Sequence, residues 1–184
     1  VSIPPSVKSC GSNVFDGCDN INEIECDPSN VSIANILNSE SKLTKLIIST
    51  TSTKLDNCNL SQFSNLTEIL IPSSVISIEC NAFDSCTSLE QISIQSKVKT
   101  IGSYAFNCCN SLKQISIPSS INIIEEYTFY ECTSLESVSI PSSVTEIKEY
   151  AFCNCTNLSQ INIPSSVTSI ESNAFYNCSS LSKI

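Results

Sequence analysis

Phe83, Phe106, Phe129, Phe152 and Phe175 recur every 23 residues, and three positions after each stands a cysteine: Cys86, Cys109, Cys132, Cys155 and Cys178. Three further on come Leu89, Leu112, Leu135, Leu158 and Leu181. A period this rigid constrains the fold more than any composition does. Each repeat must be one structural unit whose apolar face is covered by the same face of its neighbours.

The unit reads L-x-x-I-x-I-P-S-S-V-x-x-I-x-x-x-A-F-x-x-C-x-x. Its L-x-x-I-x-I end alternates in and out as a short half-buried strand does. Proline follows as a terminator, since it cannot donate to the next ladder bond. V-x-x-I predicts a second extended segment, and a stretch such as "ESNAFYNC" predicts a single helical turn with Ser or Asn as its cap. One coil alone has too little core. Coils stacked at about 4.8 Å bury Leu, Ile, Val, Phe and Cys as continuous ladders, giving a stack on the order of 35–40 Å long.

The register can be followed to the N-terminus. Residues 66–184 are regular and residues 1–65 degenerate, with the pattern recovered at Phe15 and Cys18 and one coil a residue short between Ile21 and Leu43. The expectation is one solenoid over 1–184 of about eight coils, starting and stopping in mid-repeat. Neither end shows a polar cap, so the chain reads as part of a longer array.

This unit resembles the BspA-like, or treponemal-type, leucine-rich repeats of bacterial surface proteins and large protist families. The resemblance spans nearly the whole chain through I-P-x-x-V-x-x-I…A-F-x-x-C in register. It implies a right-handed, β-rich leucine-rich-repeat solenoid that acts as a non-catalytic protein-interaction module in cell-surface attachment or adhesion, at the surface or secreted. The alternative is an intracellular scaffold or a component packed into a larger assembly. One departure from the family matters. Glycine often follows the second-strand Ile there, whereas here only Gly102 does among the regular coils, with Glu79, Glu125, Lys148 and Glu171 elsewhere. A positive φ is therefore not obligatory at that position.

Twelve cysteines invite a chemical reading, most of all Cys153-Asn154-Cys155. Cys18, Cys86, Cys109, Cys132, Cys155 and Cys178 read instead as a packing ladder of small apolar thiols. Cys10 and Cys26 replace aliphatic residues of the repeat and read as core. Cys108 and Cys153 fall in variable columns, and the C-x-C spacing is shorter than a zinc site uses. No metal or cofactor is expected. Cys58 and Cys80, in neighbouring coils, are the best disulfide candidates in an oxidising compartment.

The chain has no His and no Arg, and its net charge is −9. A histidine-based triad is impossible, and nucleic acid and anionic membranes are disfavoured as partners. No apolar run approaches a membrane span. Glu126 and Glu149 stack beside Glu125 and Glu146, but the alternating column Glu125, Lys148 and Glu171 reads as a solvated face. A protein partner is the better prospect. The outward column of the first strand runs Glu25, Ile47, Leu70, Ser93, Ser116, Ser139 and Asn162. Ile47 and Leu70 are either an exposed apolar hot spot or are tucked inward by distorted coils. Tyr104, Tyr127 and Tyr150, with Tyr130 and Tyr176 nearby, either cover the coil-to-coil contact or serve a partner. The sequons at Asn30, Asn59, Asn65, Asn154, Asn157 and Asn177 are about as many as composition alone yields.

Overall fold

The structure, a computed structural model, describes residues 1–28, 31–37, 41–56, 58 and 60–183. Two kinds of short strand alternate along the chain. The first kind comprises β1 (Glu23–Cys26), β2 (Lys45–Ile48), β4 (Glu68–Leu70), β6 (Gln91–Ile92), β8 (Gln114–Ser116), β10 (Ser137–Ser139) and β12 (Gln160–Asn162). The second comprises β3 (Lys54–Leu55), β5 (Ser77–Ile78), β7 (Thr100–Ile101), β9 (Ile123–Ile124), β11 (Glu146–Ile147) and β13 (Ser169–Ile170). Pairing is parallel throughout, in the orders β1-β2-β4-β6 and β8-β10-β12 for the first kind, β3-β5-β7 and β9-β11-β13 for the second. Each strand thus pairs with its equivalent one coil away, which makes the molecule a β-solenoid. Glu68 lies opposite Lys45 and Gln91, at the period the Phe column sets. Glu23 lies opposite Lys45, so the short coil survives in the register. That coil carries a single-turn helix, α1 (Ile33–Ile36), between its first strand and the next.

Hydrogen bonds account for the unit residue by residue. Pro72, Pro118, Pro141 and Pro164 accept, through their carbonyls, the amides of Val75, Ile121, Val144 and Val167, closing a tight turn after each first strand. The second serine of "PSS" then reaches back one coil: Ser74 Oγ donates to the Ser52 carbonyl at 2.8 Å, Ser143 to Ile121 at 2.6 Å, Ser166 to Val144 at 2.7 Å, and Ser120 to Val98. The Ser-rich composition is in part this staple.

The segment around each Phe is not the helical turn its sequence predicts. It is a run of tight turns, with left-handed backbone two residues before and two after the Phe. Asn81 and Ser85, Tyr104 and Cys108, Tyr127 and Glu131, Tyr150 and Asn154, and Asn173 and Asn177 all have φ between 54° and 61°. The physical reason lies in where the amides go. Phe106 N donates to Thr128 O in the next coil at 2.9 Å, and Cys108 N to Tyr130 O at 2.8 Å, while Asn107 and Cys109 N bond back to Tyr104 and Phe106 O. Half the amides thus join coil to coil, which a helix, bonding only within itself, cannot do. The Phe rings stack underneath at 5.4, 5.6, 5.2 and 5.3 Å from Phe83 to Phe175. Leu89, Leu112, Leu135 and Leu158 fill the rest of a continuous core.

No glycine is needed after the second-strand Ile for its φ, since positive φ occurs elsewhere in the coil. Gly102 serves close approach instead: a Cβ there would lie 2.6 Å from Cys80 N and 2.8 Å from Glu79 C.

Candidate interaction surface

The first-strand sheet turns one face to the core and one to solvent. Leu46, Ile69, Ile92, Ile115, Val138 and Ile161 point inward and are buried. Two columns point outward. One is the column read from the sequence: Glu25 and Ile47 are half-buried, and Leu70, Ser93, Ser116, Ser139 and Asn162 are exposed. Leu70 is 39% exposed. Ile47 lies opposite it in register, so these two are not drawn into the core. Sequence reading passed over the second column, Glu23, Lys45, Glu68, Gln91, Gln114, Ser137 and Gln160, which the ladder aligns beside the first. Strict alternation on the strand was the signal for it.

Charge is sorted along this face. Lys45 Nζ lies 3.4 Å from Glu68 and 4.0 Å from Glu23, so the charges of this face gather in the N-terminal coils. From Gln91 to Asn162 both outward columns carry only amides and hydroxyls. A shallow depression of about 540 Å³ runs over Glu68, Leu70, Gln91, Ser93, Gln114 and Ser139. A second, of about 470 Å³, continues over Ser137, Gln160, Asn162 and Lys183. The face is long, open and dominated by neutral hydrogen-bonding groups.

The buried thiols have little nucleophilic character. All twelve are free, and Cys58, buried with its Sγ 3.0 Å from the Asp56 carbonyl, is not bonded to the exposed Cys80. The pair named as a disulfide candidate for an oxidising compartment is unbridged here. Burial pushes the Cys26 and Cys58 thiols up to about 12, and Cys178 up to about 11. It raises Cys86, Cys109, Cys132 and Cys155 as well. Cys86, Cys109, Cys132 and Cys155 are buried and Cys178 half-buried. Each rung from Cys109 onward does more than pack: Cys109 Sγ lies 3.3 Å from Phe83 O, Cys132 3.1 Å from Phe106 O, Cys155 3.2 Å from Phe129 O and Cys178 3.1 Å from Phe152 O. The thiol is a donor to a carbonyl of the previous coil.

Cys18 departs from this ladder and is exposed. Its turn pairs with the single-turn helix, through Asn13 N to Asn35 O and Phe15 N to Ile36 O, and that helix offers no Phe–Cys column to join. Cys26 is buried and Cys10 half-buried. Cys153 is buried, in the column it shares with Tyr130 and Tyr176, and Cys108 is half-buried with its Sγ 3.7 Å from Glu131. Among the described residues no group of three or more His, Cys, Asp or Glu side chains is placed to hold a metal ion. No helix there is long and apolar enough to cross a membrane.

Glu126 and Glu149 lie in the turns that follow the second strands. Lys148 Nζ bridges Glu146 at 2.6 Å and Glu171 at 2.9 Å. Tyr104, Tyr127 and Tyr150 stack at 4.6 and 4.9 Å. Among the sequons, Asn157 and Asn177 are exposed, the Asn65 side chain donates to Ser41 O, and Asn154 accepts from Asn177. Asn30 and Asn59 lie outside the described residues.

The geometry has relatives. Residues 1–83 and 61–182 match the model of the BspA type leucine rich repeat region, in six copies. A leucine-rich repeat protein from Bacteroides ovatus superposes with a TM-score of 0.74 and 29% identity, covering 92% of this chain and 47% of its own. A leucine rich cell surface protein from Faecalibacterium prausnitzii gives a TM-score of 0.69 and 34% identity, covering 88% of this chain and 42% of its own. The leucine-rich repeat protein of T. pallidum shares the fold with a TM-score of 0.67 and 24% identity, covering 99% of this chain and 77% of its own. The chain spans about half the length of the first two. No curated protein matches its sequence.

Proposed function

The chain belongs to the BspA-type leucine-rich-repeat family, whose members are generally protein-interaction modules, and we propose that it is a non-catalytic one working at a cell surface in adhesion. The observation that carries this reading is the outward face of the first sheet. It offers an open surface several coils long, with an apolar anchor at Ile47 and Leu70 and a run of Ser, Gln and Asn beyond it. Half-buried Ile47 beside exposed Leu70, rimmed by hydrogen-bonding groups, has the composition of an interface core and its rim. The same face offers poor ground for catalysis: it is shallow, Glu23 and Glu68 lie beside Lys45, and Glu25 accepts from Ser2 Oγ. The surface location draws on the Faecalibacterium relative, which is described as a cell surface protein.

A double substitution Ile47→Glu and Leu70→Glu tests the site, with far-UV circular dichroism as the control for folding. Binding to epithelial cells or to extracellular-matrix protein is expected to fall at least about tenfold, the scale of a lost hot spot. Unchanged binding by the folded variant sinks the site. Wild-type protein that binds no such surface sinks the adhesion reading.

A further inference from the structure

The turn row carries a second surface that the sheet face does not explain. In this coil the position two residues before Phe is left-handed, and Asn13, Asn81 and Asn173 fill it with a residue that tolerates that conformation. Tyr104, Tyr127 and Tyr150 occupy it in three consecutive coils, at φ 59°, 55° and 57°, where a bulky side chain is disfavoured. Core filling does not demand them, because the Phe column beneath is continuous and Tyr104 is exposed. Their rings stack nearly parallel, at interplanar angles of 5° and 13°, and Tyr130 leans on Tyr127 at 5.5 Å.

Carboxylates flank the stack. Glu126 and Glu149 each precede a stacked tyrosine, and Glu125 and Glu131 lie on the same row of turns. Burial, the neighbouring tyrosines and the charges of Glu149 and Glu126 together hold the Tyr127 hydroxyl above its usual titration range. Lys148, the cation of this row, is taken by Glu146 and Glu171. Among the described residues no ammonium lies within ion-pair distance of Glu126 or Glu149. Apolar ring edges beside uncompensated negative charge fit one kind of occupant. Lys and Arg lay apolar stems over ring edges while their cationic heads reach carboxylates, and a guanidinium also stacks on an uncovered ring face. At its two ends the stack meets no further ring, since Asn81 and Asn173 hold the position in the coils beyond Tyr104 and Tyr150.

We propose that Tyr104, Tyr127 and Tyr150, with Glu126 and Glu149, form a second docking surface that takes a basic, extended segment of a protein partner. Phosphate-bearing partners are repelled by the same carboxylates.

The chain has no Trp, and four of its five tyrosines lie in this patch, so intrinsic tyrosine fluorescence reads the site directly. The probe is a short synthetic peptide alternating Arg and Ser, titrated into the intact chain, with the Glu-Ser peptide as its opposite. Saturable binding of the basic peptide alone is expected, weakening as salt is raised. E126Q/E149Q, which leaves the stack intact, and Tyr127→Asn, which installs the residue this chain uses at the same place in other coils, are each expected to weaken it about tenfold. E23Q/E68Q on the sheet face is expected to leave it unchanged. An equal loss in E23Q/E68Q, or no loss in folded Tyr127→Asn, reduces the effect to diffuse attraction by an acidic chain and overturns the proposal. Absence of saturable binding overturns it too. Because E23Q/E68Q and Ile47→Glu/Leu70→Glu report on the other face, failure here leaves the adhesion surface standing.

Discussion

A cysteine at the ladder position does two jobs that no aliphatic residue does together. It fills a small buried volume, and its thiol caps the Phe carbonyl of the previous coil, as Cys132 Sγ does on Phe106 O at 3.1 Å. Cys132→Ala therefore removes packing and a donor at once, and is expected to cost about 1–3 kcal/mol in urea unfolding; an unmoved midpoint would show the ladder to be passive filler. Exposure also sorts the thiols. Under native conditions Cys18 and Cys80 are expected to take up iodoacetamide first, and Cys109, Cys132 and Cys155 only as the chain unfolds, read by peptide mass spectrometry. Gly102 is the backbone counterpart. An alanine there must move the Cys80 backbone, 2.6 Å from its Cβ, so Gly102→Ala is expected to destabilise by about 1–3 kcal/mol. The sequence showed that glycine is dispensable at this position in other coils; it could not show a close approach between two backbones at one coil.

The strands were legible and the turns were not. L-x-x-I-x-I and V-x-x-I carry their alternation in the side chains, and the structure pairs them in the register the period sets. "ESNAFYNC" has the composition of a capped helical turn, and nothing local distinguishes that from a left-handed turn whose amides bond the next coil. The signal lay in comparing coils: Asn13, Asn81 and Asn173 mark a left-handed position, and the tyrosines elsewhere obscured it. The column Glu125, Lys148, Glu171 likewise read as alternating charge, and the structure makes one tight triad of Glu146, Lys148 and Glu171. Hydrogen bonding to Lys148, more than the opposing effect of burial, holds the Glu171 carboxyl below its ordinary range. A depressed folded pKa contributes stability above the unfolded value and loses it as pH falls through the folded one. Glu171 is therefore expected to titrate late on acidification, with the Glu149 amide, 3.2 Å from Glu171 Oε2, reporting its release by NMR. Lys148→Gln is expected to move that titration up toward the ordinary carboxylate value, and a titration unmoved in that variant refutes the assignment.

Taken as a whole molecule, the chain sums contributions that are small in any one coil. The period, and with it the solenoid, could be read from the sequence because identical positions repeat, and the ladder that makes Phe and Cys columns also makes the sheet columns. What could not be read is the short coil's helix, where the pattern degrades. The same summation governs pH. Burial raises the thiols of Cys26 and Cys58 to about 12, and those of Cys86, Cys109, Cys132 and Cys155 are raised too. In the unfolded chain each titrates near the ordinary thiol value of about 8.5. A folded pKa above the unfolded one means that the folded state holds the proton longer, so the stability is intact below about pH 8.5 and is lost as pH rises from there toward the folded value. Each such thiol withdraws about 1.4 kcal/mol per pH unit within that window. Several acting together are expected to weaken the solenoid as pH rises above the ordinary thiol value. Urea midpoints are expected to hold from about pH 6 to 8 and then to fall steeply by about pH 10. Replacing Cys109, Cys132 and Cys155 together by Val is expected to flatten that descent whatever it does to the midpoint at neutral pH. An alkaline slope unchanged by the triple substitution would place the loss in other groups and remove the thiol ladder as its cause.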